Sequence, residues 1–162
     1  KLKPVPGRME EVASKKNGAK IFVDFAHTPD ALESVLKSIR AHFIGKIHLV
    51  FGAGGNRDIG KRIIMGKIAS KLSDHIIITD DNPRHEKPST IRSQIMKFCP
   101  NAIEIADRSE AILTGVNLLK NGDALIIAGK GHENFQIYGN NEYPFNDGEE
   151  ASFAIQALEE KF

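Results

Sequence analysis

His75-Ile76-Ile77-Ile78-Thr79-Asp80-Asp81-Asn82-Pro83-Arg84 decides the reading of this chain. Its opening, His75 to Ile78, has the apolar character of a strand covered on both faces. Its close crowds two acids, an amide and a guanidinium together. Pro88-Ser89 then opens a helix, because proline fits a first helical turn. A dense polar cluster at the carboxyl end of a buried strand is where open α/β sheets hold ligands. Side chains of these types suit a ligand that is both acidic and amine-bearing.

The same alternation continues on both sides. Upstream, Ile21-Phe22-Val23-Asp24-Phe25 reads as a strand. Thr28 is placed to cap a helix with Pro29 in its first turn, and Leu32, Val35, Leu36 and Ile39 form one apolar stripe. Ile47 to Phe51 is the next strand and ends at Gly52-Ala53-Gly54-Gly55. A helix from about Lys61 to Leu72 is expected to bury Ile64, Ile68 and Leu72. Downstream, Ile91, Ile95 and Phe98 mark the helix after the central strand, and Ala102 to Ala106 is another strand. Asp107 with Glu110 resembles a capping box, opening a helix that carries Ile112, Val116 and Leu119. Asp123 to Ala128 is the last buried strand. Phe135-Gln136-Ile137-Tyr138 and Glu142-Tyr143-Pro144-Phe145, around Gly139-Asn140-Asn141, predict a hairpin. A final helix starts near Asp147. The expected fold is a Rossmann-like three-layer α/β sandwich, with a mostly parallel sheet and a C-terminal hairpin.

The 162 residues suit one domain with a substantial core. A hydrophobic share of 41% and a charged share of 27% are ordinary for a water-soluble domain. A net charge of +1 gives no electrostatic case for nucleic acid or an anionic membrane. Cys99 is the one cysteine, which excludes an internal disulfide and suits the reducing cytoplasm. No apolar stretch approaches the roughly 20 residues of a membrane helix. The start, Lys1 to Pro6, has no hydrophobic signal region and no initiator Met, so a piece of a longer chain is expected.

The polar clusters share one address. Asp24 and His27 end the first strand, Gly52 to Asp58 follow the second, Asp80 to Arg84 the third, and Gly129-Lys130-Gly131-His132-Glu133 the last. In a parallel sheet such ends converge on one rim. Each cluster also has a plain reading. Gly52 to Gly55 serves equally as a turn, and Asp81-Asn82-Pro83 as an Asx-turn. His27 alone is more often a structural hydrogen-bonder. Gly55 to Lys61 starts like a phosphate-binding loop, but Arg62 replaces the hydroxyl residue that would hold magnesium. Lys61 and Arg62 are expected at a helix start facing solvent. The turns at the opposite rim (Asn17-Gly18, Gly45-Lys46, Asn121-Gly122) carry no such chemistry.

Taken in order, Gly7-Arg8-Met9-Glu10, Val23 to Leu32, Phe51 to Asp58, Gly60-Lys61-Arg62, Asp81-Asn82-Pro83-Arg84 and Ala128 to Glu133 resemble the Mur ligases of peptidoglycan synthesis. The resemblance is to the carboxyl-terminal domain of the MurE type, which extends UDP-N-acetylmuramoyl-dipeptide, and covers essentially the whole chain. It implies an ATP- and Mg²⁺-dependent ligation. A peptide carboxylate on UDP-MurNAc-L-Ala-D-Glu becomes an acyl phosphate, and the amine of an incoming amino acid displaces the phosphate. The resemblance further implies that Arg57, Asp81, Asn82, Pro83, Arg84, Gly129 and Glu133 bind meso-diaminopimelate. Arg84 would pair with the distal carboxylate, and Gly129 and Glu133 would hold the distal ammonium. Arg8, Asp24, His27 and Asn56 would stand near ATP. Phe25 departs from the tyrosine common in the family.

The family's Gly-Lys-Thr loop, its carbamylated lysine and its nucleotide-sugar domain do not occur in these residues. Central and amino-terminal domains are therefore expected as partners in the parent chain. The isolated domain is expected neither to hydrolyse ATP nor to form the amide. Two rival readings fit the pattern less well. One is a stand-alone module binding a nucleotide or amino acid; the other is a folylpolyglutamate synthetase-type ligase domain, which is not expected to carry the Asp-Asn-Pro-Arg box.

Overall fold

The computed structural model describes residues 7–56 and 58–160. Arg57 therefore lies outside the described residues. Among the described residues, eight strands and five helices follow in the order β1 (Glu10–Ser14), β2 (Lys20–Asp24), α1 (Pro29–Arg40), β3 (Ile47–Phe51), α2 (Ile59–Leu72), β4 (His75–Ile78), α3 (Pro88–Met96), β5 (Ile103–Glu104), α4 (Arg108–Asn117), β6 (Ala124–Ala128), β7 (Phe135–Tyr138), β8 (Asn141–Pro144) and α5 (Asp147–Glu159).

Six strands form one sheet in the order β1-β2-β6-β3-β4-β5, and β7 and β8 form a separate hairpin. β2, β6, β3, β4 and β5 are parallel; β1 pairs antiparallel with β2 at the edge. From β2 through β3 and β4 to β5 the chain steps mostly one way along the sheet, and from β5 it returns to insert β6 between β2 and β3. Right-handed crossovers then put α1, α2 and α3 on one face and α4 on the other. The core follows that division. Ala124, Ile126 and Ala128 of β6 pack with α1, α2 and α3, whereas Leu125 and Ile127 pack with α4 and α5. That period of two is why β6 reads as an unbroken apolar run.

The expected three-layer α/β sandwich is the observed one, with differences that have physical causes. β1 was not expected; its sequence, Glu-Glu-Val-Ala-Ser, is half-exposed edge strand with no apolar run. α2 departs from expectation in part: Ile68 and Leu72 pack against the core as expected, but Ile64 is 48% exposed, and Arg62, Met65, Gly66 and Ala69 are buried. Gly66 decides this orientation, since a Cβ there would stand 2.7 Å from the carbonyl oxygen of Ile95. The end of α3 thus approaches α2 closely along a stripe of small residues. The caps of α1 and α4 agree with expectation. Thr28 Oγ1 accepts from the amide of Ala31, and Asp107 Oδ1 from that of Glu110. Among the described residues no helix is long and apolar enough to cross a membrane.

Candidate functional site

The carboxyl ends of β2, β3, β4 and β6 enclose a cleft of ≈380 Å³. Phe25 and His27 line it after β2, and Gly52, Ala53 and Gly54 after β3. Asp81, Asn82 and Arg84 contribute after β4, and Gly129 and Glu133 after β6. The start of α2 adds Asp58, Lys61 and Arg62. β6 stands between β2 and β3 and its connection leaves toward the other face of the sheet. The cleft opens there, at the reversal of strand order where an open sheet makes a crevice.

The glycines after β3 serve close packing. A Cβ on Gly55 would lie 1.7 Å from the carbonyl oxygen of Pro83, and one on Gly52 would lie 2.2 Å from that of Thr79. The amide of Gly55 donates to the Asn82 carbonyl at 2.8 Å. The glycine loop thus lies flat on the Thr79–Arg84 segment, and Arg84 Nη1 donates across the join to the Gly55 carbonyl at 3.1 Å.

The hairpin supports the same segment from the far side. Gln136 Nε2 donates to the carbonyls of Asp80 and Asp81 at 3.2 and 3.1 Å. The amide of Ile137 donates to Asn82 Oδ1 at 3.0 Å. The amide of Arg84 donates to the Ile137 carbonyl, and the Arg84 carbonyl accepts from Gly139. These bonds hold Arg84 at φ 54°, a left-handed conformation that costs a non-glycine residue about 1 kcal/mol.

Two further layers brace the cluster. Asp80, buried, accepts from Arg92 Nη1 at 2.5 Å and from the Tyr138 hydroxyl at 2.9 Å. Burial, then the nearby Asp80 charge, pushes the Tyr138 phenol well up, so it stays a donor. Lys130 Nζ, with no exposed surface, donates to Asn82 Oδ1 at 2.8 Å and lies 3.5 Å from Glu133 Oε2 and 3.7 Å from Asp81 Oδ1. Asn82 Nδ2 in turn donates to Glu133 Oε2 at 3.2 Å. On the α4 side, Arg108 makes a bidentate pair with Asp147 at 2.7 and 2.8 Å and donates to the carbonyls of Asp80 and Ala128, both at 3.1 Å. Burial opposes its charge, but Asp147 prevails and holds the guanidinium firmly protonated.

Of the residues the sequence singled out, the structure brings His27, Asp81, Asn82, Arg84, Gly129 and Glu133 to the cleft wall. Pro83 is buried behind it, with its carbonyl against Gly55. Asp24 turns away: its two carboxylate oxygens accept from the amides of Met9 and Ala26, both at 2.7 Å, fastening the segment after Gly7 to the end of β2. Arg8 is exposed nearby. Asn56 is clasped to the loop after β4, its amide donating to Glu86 Oε1 at 2.6 Å and its Oδ1 accepting from His85. His27 Nδ1 meets the Phe25 carbonyl at 2.7 Å.

Arg62 corrects the sequence reading. It does not face solvent: it is 1% exposed, doubly paired with Glu86 at 2.9 and 2.8 Å, and bonded to Gln94 and the Gly54 carbonyl, both at 2.9 Å. Its partners come from distant segments, so its spacing at a helix start gave no signal of burial. Arg108, Gln136 and Tyr138 were missed for the same reason. Lys130 was visible in the polar cluster after the last strand, but no role was assigned to it.

Known proteins resemble this chain in sequence and fold. A family model described as Mur ligase, glutamate ligase domain, matches residues 7–131. The UDP-N-acetylmuramoyl-L-alanyl-D-glutamate–2,6-diaminopimelate ligase of Brucella melitensis is 53% identical over 160 residues, covering 98% of this chain and 33% of its own. The ligase of that name from Agrobacterium fabrum is 54% identical over 159 residues, covering 98% and 32%. The solved structure of such a ligase superposes with a TM-score of 0.88 at 40% identity, covering 98% of this chain and 33% of that one. A bifunctional folylpolyglutamate synthase/dihydrofolate synthase from Yersinia pestis shares the fold, with a TM-score of 0.64 at 17% identity over 96% of this chain and 32% of its own. The chain spans about a third of the length of the curated relatives it matches. With a family match over most of its residues and relatives above half identity along nearly all of it, this chain belongs to the Mur ligase family, as its glutamate ligase domain.

Proposed function

We propose that this chain is the carboxyl-terminal, amino-acid-binding domain of an ATP-dependent ligase of the cytoplasm that joins meso-diaminopimelate to UDP-MurNAc-L-Ala-D-Glu in peptidoglycan synthesis. One observation carries this reading: Arg84 and Glu133 line the same cleft, with Asn82 between them, its carbonyl toward Arg84 and its amide nitrogen on Glu133. Arg84 offers a fork for a distal carboxylate, and Glu133 with the Gly129 carbonyl offers acceptors for the ammonium beside it. A diamino diacid held this way presents its other amine toward the cleft mouth, where a central domain would supply the acyl phosphate. Enclosure keeps water from that intermediate and fixes the amine for attack. Asp58 and Lys61, at the start of α2, stand on the side where such a domain would close.

ATP would lie between this chain and the central domain, with Arg8, Asp24, His27 and Asn56 as its nearest residues here. The Asp24 carboxylate fits that role in part: two amides occupy it, and a carboxylate has about four lone-pair sites, so ribose hydroxyls can still be accepted. Magnesium would neutralise phosphate charge during transfer, and its ligands are assigned to the central domain. The decisive experiment is Arg84→Ala in the full-length enzyme. The expected outcome is a KM for meso-diaminopimelate raised roughly 10- to 100-fold, with the KM for ATP nearly unchanged. Unaltered preference for meso-diaminopimelate over lysine would defeat the assignment.

A further inference from the structure

The ammonium side of the cleft contains more charge than a single carboxylate. Asp81, Glu133 and Lys130 form one cluster, with Lys130 Nζ 3.7 Å from Asp81 Oδ1 and 3.5 Å from Glu133 Oε2. By formal charge the three side chains leave one negative charge in excess. Arg108 is paired with Asp147 and Asp80 with Arg92, while Arg84, in the same cleft, is turned to the Gly55 carbonyl. Lys130 has no exposed surface, while the Glu133 side chain is 37% exposed at the cleft. The lysine therefore sits behind the wall, out of reach of a ligand, and its charge is a fixed background.

We infer that Lys130 is a specificity-determining residue: it cancels one of two carboxylates, so the subsite calls for one monocation and no more. This deepens the proposed function and rests on it. Lys130 also fixes which way Asn82 faces. With Lys130 Nζ and the Ile137 amide both donating to Oδ1, the amide nitrogen must point to Glu133. Glu133 is thereby held at the wall, where a ligand ammonium completes its coordination. A ligand without that ammonium leaves one negative charge at the cleft wall unmatched, and a dication oversupplies the site.

The test uses the full-length enzyme with two amines in competition, meso-diaminopimelate and 2-aminopimelate. The second keeps both carboxylates and lacks the distal ammonium. The readout is the ratio of their kcat/KM values, which loss of folded enzyme does not alter. Asp81→Asn makes the cluster neutral and is expected to lower the preference for the diamine by roughly tenfold or more. Adding Lys130→Met to Asp81→Asn returns the excess negative charge and is expected to restore the preference to within about threefold of the original. Lys130→Arg keeps the charge and is expected to keep the preference. An unchanged ratio in Asp81→Asn, or a double variant no more selective than Asp81→Asn, overturns the inference. If the double variant does not fold, Asp81→Asn and Lys130→Arg still decide: equal ratios in the two overturn it. An unsubstituted enzyme that accepts neither amine would instead remove the reading beneath it.

Discussion

At φ 54°, Arg84 occupies backbone space that glycine takes freely and arginine does not. The hairpin holds the backbone in this conformation from both sides of the residue, and the proposed role of the side chain accounts for keeping arginine there. This gives a prediction that separates backbone from side chain. Arg84→Gly and Arg84→Ala remove the same guanidinium, but only the glycine relieves the conformation. Arg84→Gly is expected to be more stable than Arg84→Ala by about 1 kcal/mol in urea unfolding, with both equally poor in binding the diamino acid. The residue types at this site were readable beforehand, since two acids, an amide and an arginine after an apolar run have few structural uses together. Arg62 and Lys130 were not readable in the same way. Nothing local distinguishes a buried cation from an exposed one when partners such as Glu86 for Arg62, or Asp81 and Asn82 for Lys130, lie tens of residues away.

Among the elements, α4 and α5 are tied to the site by the pair Arg108–Asp147, neither side chain having any exposed surface. Arg108 reaches the carbonyls just before Asp81 and just before Gly129, so this pair sets the spacing between the two loops that carry the cleft chemistry. Asp147→Ala leaves the guanidinium buried without a counter-charge. It is expected to cost about 3–5 kcal/mol by chemical denaturation, far more than truncating the exposed Glu149 in the same helix turn. The parallel strands were legible because burial on both faces removes polar residues from them. β1 was not, because an edge strand with solvent on it needs no such purity. α2 was misread at Ile64, which lies outward because the close contact at Gly66 overrides apolar periodicity.

In the whole molecule, the rim opposite the cleft holds a different device. Buried His48 meets Asp123 Oδ2 at 3.0 Å, stacks against His75 with ring centroids 4.7 Å apart, and leaves Nδ1 without a partner. Burial outweighs the bond from Asp123 and holds its pKa below the ordinary 6.5. The unfolded chain therefore takes up a proton near pH 6.5 that the folded chain resists. Stability from this residue is complete above that pH and is lost as the pH falls below it. Unfolding midpoints measured from about pH 7.5 down to about pH 5 should decline, and His48→Gln should flatten the upper part of that decline. The cleft rim, with its own charges far from this pair, is expected to keep its amino-acid preference over the same interval.

The hairpin of β7 and β8 contributes nothing to the main sheet, yet its backbone dictates where the guanidinium at position 84 is delivered. On the proposed reading of Arg84, selectivity in this architecture is transplantable. A designer could exchange a short antiparallel ribbon and the box it cradles as one cassette, leaving the load of folding to the strands of the main sheet.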